Sequence, residues 1–138
     1  MKQKFLLLLA IVSTAIFSSA FIPKNNYASH VQASKSSMGF GKFVVNYYSN
    51  GEGDQTPTFD GYVFDFYKSG DIFISTDNDY SKGTWNEFVK ENVLVLDFFD
   101  HPVLSLLNDK WIVKEESESF IFLVSRSNKS ELAFRRLE

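Results

Sequence analysis

The stretch FDGYVFDFYKSGDIFIST at residues 59–76 decides the fold class. In its first half, aromatic and β-branched residues alternate with other residues, which is the two-residue period of a strand with one buried face. A Ser-Gly pair at 69–70 offers a short hairpin turn, and residues 71–76 are typical of the returning strand. The segment therefore predicts an antiparallel β-hairpin.

The same pattern recurs on both sides of this hairpin at intervals of about ten residues. It predicts eight strands, at Phe40–Ser49, Phe59–Lys68, Asp71–Thr76, Lys82–Phe88, Val93–Phe99, Lys110–Glu116, Phe120–Ser125 and Glu131–Arg136. One segment, residues 102–108, interrupts the series. Its proline suits the first turn of a helix, and Leu104 and Leu107 are one turn apart. We expect a short helical turn whose leucines close one end of the sheet.

Eight sequential antiparallel strands would leave two exposed edges unless the sheet closes on itself. An up-and-down barrel has no edge, and at eight strands its interior is filled by side chains or holds one small ligand. The short connections favour this architecture. The sequence therefore predicts an all-β, eight-stranded antiparallel, lipocalin-like barrel over residues 39–138, with a two-sheet sandwich as the alternative.

Residues 1–20 have the features of a secretory signal peptide. Two lysines precede the apolar run at 5–17, and small residues at 18–20 suit cleavage after Ala20. The run is too short to cross the roughly 30 Å hydrocarbon core as a helix, so we expect no stable membrane span after cleavage. Residues 21–38 are rich in Ser, Asn and Lys and are interpreted as a flexible leader. An exported protein, periplasmic or secreted, is predicted.

The composition excludes several classes of function. The chain has 138 residues, no cysteine and a formal net charge of −3. Without cysteine it forms no disulfide or thiolate metal site, and it cannot be a lipoprotein anchored through Cys. The negative charge disfavours nucleic acid as a partner, because a phosphate-binding surface needs clustered Lys and Arg.

Catalysis by a nucleophile has little support in the sequence. A Ser-His-Asp triad needs a histidine to move the proton, and the chain has two. His30 lies in the predicted leader. His101, between Asp100 and Pro102, stands where the helical turn should begin and is interpreted as a capping or surface residue. A pair of strand carboxylates facing each other inside the barrel is the remaining enzymatic alternative. We predict a protein that is not an enzyme and has no catalytic residue.

Metal and cofactor sites are not predicted either. Asp77, Asp79 and Ser81 alternate as at the start of a calcium loop. However, Lys82 and Phe88 occupy the positions at which an EF-hand needs Gly and a bidentate Glu. We interpret this segment as a solvated hairpin tip, and we expect no metal ion and no cofactor.

Four short motifs occur in order along the chain: F-x-G-Y-x-F-x-F at 59–66, G-T-W at 83–85, L-x-x-L-N-D-x-W at 104–111 and L-x-F at 132–134. Together they resemble the small exported lipocalin-like (calycin-type) domain family of Bacteroidetes-type bacteria. The resemblance implies an eight-stranded calycin-like barrel. It implies no settled activity, because the function of this family is largely uncharacterised.

Two features depart from the pattern of this family and of lipocalins. Many members of the family look like lipoproteins, whereas this chain lacks the cysteine that would carry a lipid. Lipocalins proper keep a G-x-W motif on the first strand, whereas here the first strand has Gly41-Lys42-Phe43 and the G-T-W lies mid-chain. The resemblance therefore transfers no particular ligand.

Seven apolar or aromatic residues are predicted to face the interior and to bind a ligand: Tyr47, Tyr62, Phe64, Phe66, Trp85, Leu96 and Trp111. We expect a small hydrophobic or amphipathic molecule in or at the mouth of the barrel. The alternative is that these side chains simply fill the barrel, which then serves as a protein-interaction or structural module of the cell envelope. Outward-facing aromatics would supply the partner surface, and they are predicted to be Tyr48, Tyr67, Phe73 and Phe99.

Overall fold

The computed structural model describes residues 39–138. Eight strands form a closed barrel in which each strand pairs antiparallel with its neighbours in the chain, and the last strand pairs with the first. The strands are β1 Gly41–Ser49, β2 Val63–Phe66, β3 Asp71–Ser75, β4 Tyr80–Phe88, β5 Val93–Asp97, β6 Asp109–Glu116, β7 Phe120–Ser125 and β8 Glu131–Arg136. The predicted up-and-down barrel is confirmed, and the sandwich alternative is excluded.

The two ends of the barrel differ in construction. At one end lie two short 3-10 helices, η1 (Thr56–Phe59) and η3 (Leu104–Leu107), and we call it the helix-capped end. At the other end, β2–β3, β4–β5 and β6–β7 are joined by short turns, one of which contains a third 3-10 helix, η2 (Val89–Glu91). We call this the turn end. No helix within residues 39–138 is long and apolar enough to cross a membrane.

The predicted helical turn is present as η3 and closes its end of the barrel. Leu104 and Leu107 are fully buried, and the indole Nε1 of Trp111 donates a hydrogen bond to the Leu107 carbonyl at 2.9 Å. The Nδ1 of His101 accepts hydrogen bonds from the backbone N–H groups of Val103 (3.2 Å) and Leu104 (3.0 Å). His101 therefore has the capping role predicted from its sequence context.

The centre of the barrel is filled by phenylalanine side chains from different strands. Phe134 of β8 is fully buried. Its ring centroid lies 5.3 Å from that of Phe64 and 5.7 Å from that of Phe66, both on β2, and 6.5 Å from that of Phe43 on β1. Phe98 completes the group at 5.8 Å from Phe64. All four contacts are edge-on, which is a favourable geometry for aromatic pairs.

Gly83 of β4 makes room for one of these rings. A Cβ atom at this position would lie 2.5 Å from Cδ1 of Phe98 and 2.8 Å from the carbonyl oxygen of Asp97. Gly83 faces the interior, and the ring of Phe98, directly after β5, occupies the space that a side chain at position 83 would need. The glycine of the G-T-W motif is therefore required by close packing.

Strand β2 is shorter than predicted. The predicted strand began at Phe59, but Phe59 ends η1 and only Val63–Phe66 pair in the sheet. Pro57 lies in the first turn of η1, and Gly61 has a φ of +82°, a conformation that interrupts an extended strand. Tyr62 therefore precedes the strand instead of lying within it.

A β-bulge in β1 reverses the prediction for its two tyrosines. Val45 pairs with Phe134 but Tyr47 pairs with Ala133, so the residue between them has no partner on β8. Beyond this bulge, the residues of β1 that would have faced inward face outward, and the reverse. As a result Tyr48 is buried, with 3% of its surface exposed, and its hydroxyl donates to the Leu106 carbonyl at 3.1 Å. Tyr47 lies on the outer face. The predicted inward Tyr47 and outward Tyr48 are both wrong.

The predicted signal peptide at 1–20 and leader at 21–38, including His30, lie outside the described residues.

The bulge leads to a test with two adjacent residues. We expect Tyr48→Ala to lower the free energy of unfolding by about 3–5 kcal/mol, because a buried aromatic ring and its hydrogen bond are lost. Tyr47→Ala is the control and should lower it by less than half of that amount. Urea denaturation of both variants measures the difference. Equal losses, or a larger loss for Tyr47→Ala, would show that the bulge is misplaced.

The close packing at Gly83 gives a second test. We expect Gly83→Ala to destabilise the barrel by about 1–3 kcal/mol, because the methyl group collides with Phe98 and with the backbone of β5. The control is Asn86→Ala, an exposed position on the same strand, which should change stability by no more than about 0.5 kcal/mol. Thermal and urea unfolding compare the two. A neutral Gly83→Ala variant would contradict the packing described here.

Candidate ligand-binding cleft at the turn end

The seven predicted ligand-binding residues do not share one pocket. Phe64, Phe66, Leu96 and Trp111 are buried in the core with no more than 1% of their surface exposed. The other three are Tyr62, which packs on the core at the helix-capped end, Tyr47 on the outer face and Trp85 at the turn end. Of the seven, Trp85 and Leu96 line a surface cleft, and they line different ones.

The central part of the barrel is occupied by its own side chains. Side chains from distant parts of the sheet, such as Phe64 of β2 and Phe98 directly after β5, meet with their ring centroids 5.8 Å apart and have no more than 1% of their surface exposed. Protein interiors packed in this way leave few voids larger than a water molecule. A ligand would therefore have to bind at a rim of the barrel.

A cleft of about 590 Å³ lies beside Trp85 at the turn end. Its walls come from the start of the described chain, from the β2–β3 turn, from β4 and from the residues around η2. The lining residues are Phe40, Lys68, Ser69, Gly70, Thr84, Trp85, Asn86, Glu87, Val89 and Val95. The volume is within the range of small-molecule sites, and the lining combines aromatic, apolar and charged groups.

The indole of Trp85 is held in place by three contacts. Its Nε1 donates a hydrogen bond to the Tyr67 carbonyl at 2.8 Å, and its backbone N–H donates to the Gly70 carbonyl at 2.9 Å. Behind it, the ring of Phe66 packs edge-on at a centroid distance of 6.0 Å. The ring is thus anchored to the β2–β3 turn and to the core, while part of it faces the cleft.

Phe40 is the second aromatic residue of the cleft, and its ring packs beside that of Trp85. Its ring centroid lies 6.2 Å from that of Trp85 at an interplanar angle of 50°, and 46% of the residue is exposed. Arg136 holds this segment, because its guanidinium donates to the carbonyls of Phe40 (3.0 Å) and Gly39 (2.8 Å). The same guanidinium lies 4.9 Å from the centroid of the Phe43 ring.

Three charged residues point into the barrel at the turn end. Glu87 is two residues beyond Trp85 on β4, Glu116 pairs with the buried Ile121, and Arg136 is two residues beyond Phe134. In each of the three, one buried polar atom has no hydrogen-bond partner among the described residues: Glu87 Oε2, Glu116 Oε1 and Arg136 Nε.

The sequence interpretation missed these charged residues. It considered the strand carboxylates only as possible members of a facing pair inside the barrel. A second bulge, between Val113 and Glu115, turns Glu116 inward in place of Glu115. The strand period, counted from Trp85 on β4 and from Phe134 on β8, would have placed Glu87 and Arg136 on the inner face.

A separate aromatic patch lies on the outer face of the barrel. Phe73 of β3 packs against Tyr67 at 5.2 Å and against Tyr80 at 5.8 Å between ring centroids. Tyr67 and Tyr80 are exposed by 45% and 64%. We call these three residues the outer aromatic patch. As predicted, Tyr67 and Phe73 face outward, and Phe99, in the β5–β6 connection, is also exposed.

Charges surround the outer aromatic patch. The Lys82 ammonium lies 5.6 Å from the centroid of the Phe73 ring and 2.9 Å from Asp71 Oδ1. This ion pair holds the pKa of Asp71 below its ordinary value, and a hydrogen bond from the Ser69 hydroxyl acts in the same direction. The hydroxyl of Tyr67 donates to Asp65, which raises the pKa of Tyr67.

Two further clefts, of about 500 and 330 Å³, lie on the outer side of β5 and share Val95, Lys110 and Arg126. Within residues 39–138, no group of three or more His, Asp or Glu side chains is placed to hold a metal ion.

The comparisons with known proteins identify the fold but no family. No family model matches the chain, and no curated protein matches it. Among solved structures, a DUF4847 family protein from Bacteroides vulgatus has a similar fold, with a TM-score of 0.54. It is 14% identical, and the likeness covers 70% of this chain and 92% of that one. At this identity the likeness extends to the fold alone.

Proposed function

We propose that this chain is an exported, non-enzymatic binding protein of lipocalin-like architecture that takes up a small hydrophobic or amphipathic molecule at the mouth of its barrel. The observation that carries the proposal is the 590 Å³ cleft beside Trp85 at the turn end. The filled centre directs the ligand to this rim, and the cleft combines aromatic surface with a few polar groups, as small-molecule sites commonly do.

The arrangement of Trp85 favours binding over a purely structural role. Its hydrogen bond to the Tyr67 carbonyl and its contact with Phe66 fix the ring before any ligand arrives. A binding surface that is rigid in advance loses little conformational entropy when a ligand binds. The exposed Phe40 ring, which packs beside Trp85, adds apolar surface that a ligand would remove from water.

A neutral fluorescent amphiphile, N-phenyl-1-naphthylamine, tests the proposal. We expect saturable binding to the wild-type protein and an affinity at least about tenfold lower for Trp85→Leu, because aromatic contact area in the cleft is lost. The control is Tyr80→Ser, which removes an exposed ring from the outer aromatic patch and should leave the affinity unchanged. Absence of saturable binding, or equal binding by Trp85→Leu, would contradict a ligand site at this rim.

The proposed export has its own test. The protein is expressed in its host with the full N-terminus, and the mature form is analysed by N-terminal sequencing and cell fractionation. We expect the chain to begin at Phe21, after cleavage at Ala20, and to be found outside the cytoplasm. A full-length chain in the cytoplasmic fraction would overturn the signal-peptide prediction without affecting the cleft.

The second candidate function is a protein-interaction module of the cell envelope, and the outer aromatic patch favours it. Tyr67 and Tyr80 are the kind of exposed aromatic residues that are enriched at interfaces. Under this alternative, chemical crosslinking to a partner would be lost in Tyr80→Ser and kept in Trp85→Leu. The two variants therefore separate the candidates, since each should abolish one activity and spare the other.

A further inference from the structure

We propose that the cleft beside Trp85 binds the positively charged head group of its ligand, an organic ammonium, between the Trp85 and Phe40 rings and the carboxylate of Glu87. This inference rests on the proposed function and specifies the class of ligand. It joins three observations: a cleft, a pair of aromatic faces and a buried carboxylate oxygen that lacks a partner.

The carboxylate of Glu87 is placed to bind a cation in the cleft. Glu87 lies on the inward face of β4, two residues after Trp85, and lines the same cleft. Its Oε2 is buried and has no hydrogen-bond partner among residues 39–138. A carboxylate oxygen that is buried without a partner carries a desolvation penalty, because nothing replaces its hydrogen bonds to water. A ligand that supplies positive charge would remove this penalty.

The protein's own cations do not satisfy Glu87. Arg136 lies at the same end of the barrel, but its terminal nitrogens donate to the carbonyls of Gly39 and Phe40. Lys68 lines the cleft from the β2–β3 turn and is exposed. Within the described part of the chain, the one ion pair closer than 4 Å joins Lys82 to Asp71, on the outer face. Glu87 is therefore free to bind a charge brought by the ligand.

The aromatic rings of the cleft favour the same charge. A cation within about 6 Å of a ring centroid is attracted by the negative face of the ring, and tryptophan gives the strongest interaction. Trp85 and Phe40 pack beside each other with centroids 6.2 Å apart and both line the cleft, so a cation in the cleft lies near two aromatic rings. An anionic head group would be repelled by Glu87, and a neutral one would bring no positive charge to attract the carboxylate.

Three ten-carbon probes test the inference: decyltrimethylammonium and decanoate, each below its critical micelle concentration, and decanol, below its solubility limit. Their affinities are measured by displacement of N-phenyl-1-naphthylamine and by isothermal titration calorimetry. We expect decyltrimethylammonium to bind about tenfold or more tightly than decanoate, with decanol between them. Glu87→Gln should lower the affinity for the ammonium about tenfold and change that for decanol much less.

Two control variants assign the effect to the cleft. Glu118→Gln makes the same charge change at an exposed site in the β6–β7 turn, at the same end of the barrel, and should leave all affinities unchanged. Lys68→Met tests whether that lysine is the counter-ion of Glu87. We expect the preference for the ammonium to persist or increase in this variant, and thermal unfolding confirms that each variant is folded.

The outcomes separate the inference from the proposed function. If all three probes bind with similar affinity, or if Glu87→Gln and Glu118→Gln behave alike, the ammonium site is overturned while the ligand cleft stands. Preferential binding of decanoate, lost in Lys68→Met, would also overturn it and would assign an anionic head group to the cleft. If no probe binds to the wild-type protein, the proposed function fails as well.

Discussion

The constraint on which the rest of the structure depends is that the interior of the closed barrel must be filled by its own side chains. Eight strands enclose a space that their own side chains can occupy, and here phenylalanines occupy it. Phe134 contacts rings from β1 and β2, and Phe64 of β2 contacts Phe98. Gly83 is the counterpart of this filling, because Phe98 takes the volume that a side chain on β4 would need. The sheet can therefore close only if the side chains inside it pack without voids or collisions.

This constraint also determines where binding can occur. A filled centre leaves the two ends of the barrel, and one of them is closed by the buried leucines of η3 and by Trp111. At the turn end the apolar filling gives way to Trp85 and to the inward charges of Glu87, Glu116 and Arg136. Buried polar atoms without partners are rare in native proteins, so their concentration at one end supports the proposal that a ligand binds there.

Much of the architecture could be predicted from the sequence. The alternating pattern and the spacing of turns predicted eight strands and their order, and Leu104, Leu107 and His101 were placed correctly at the helical turn. The face of Tyr47 and Tyr48 could not be predicted, because a single-residue bulge leaves no clear mark in a run such as FVVNYY. The binding residues were predicted less well for a related reason. An inward aromatic pattern is the same whether the rings line a pocket or fill a core, and only the packed distances distinguish the two.

The most direct test of this account uses the two tryptophans, which lie in different parts of the barrel. Both are labelled with 5-fluorotryptophan, and ¹⁹F NMR spectra are recorded as N-phenyl-1-naphthylamine is added. The account predicts that the Trp85 resonance shifts with saturation while that of Trp111, fully buried against η3, does not move. A shift of Trp111 as large as that of Trp85 would place the ligand inside the barrel and contradict the account.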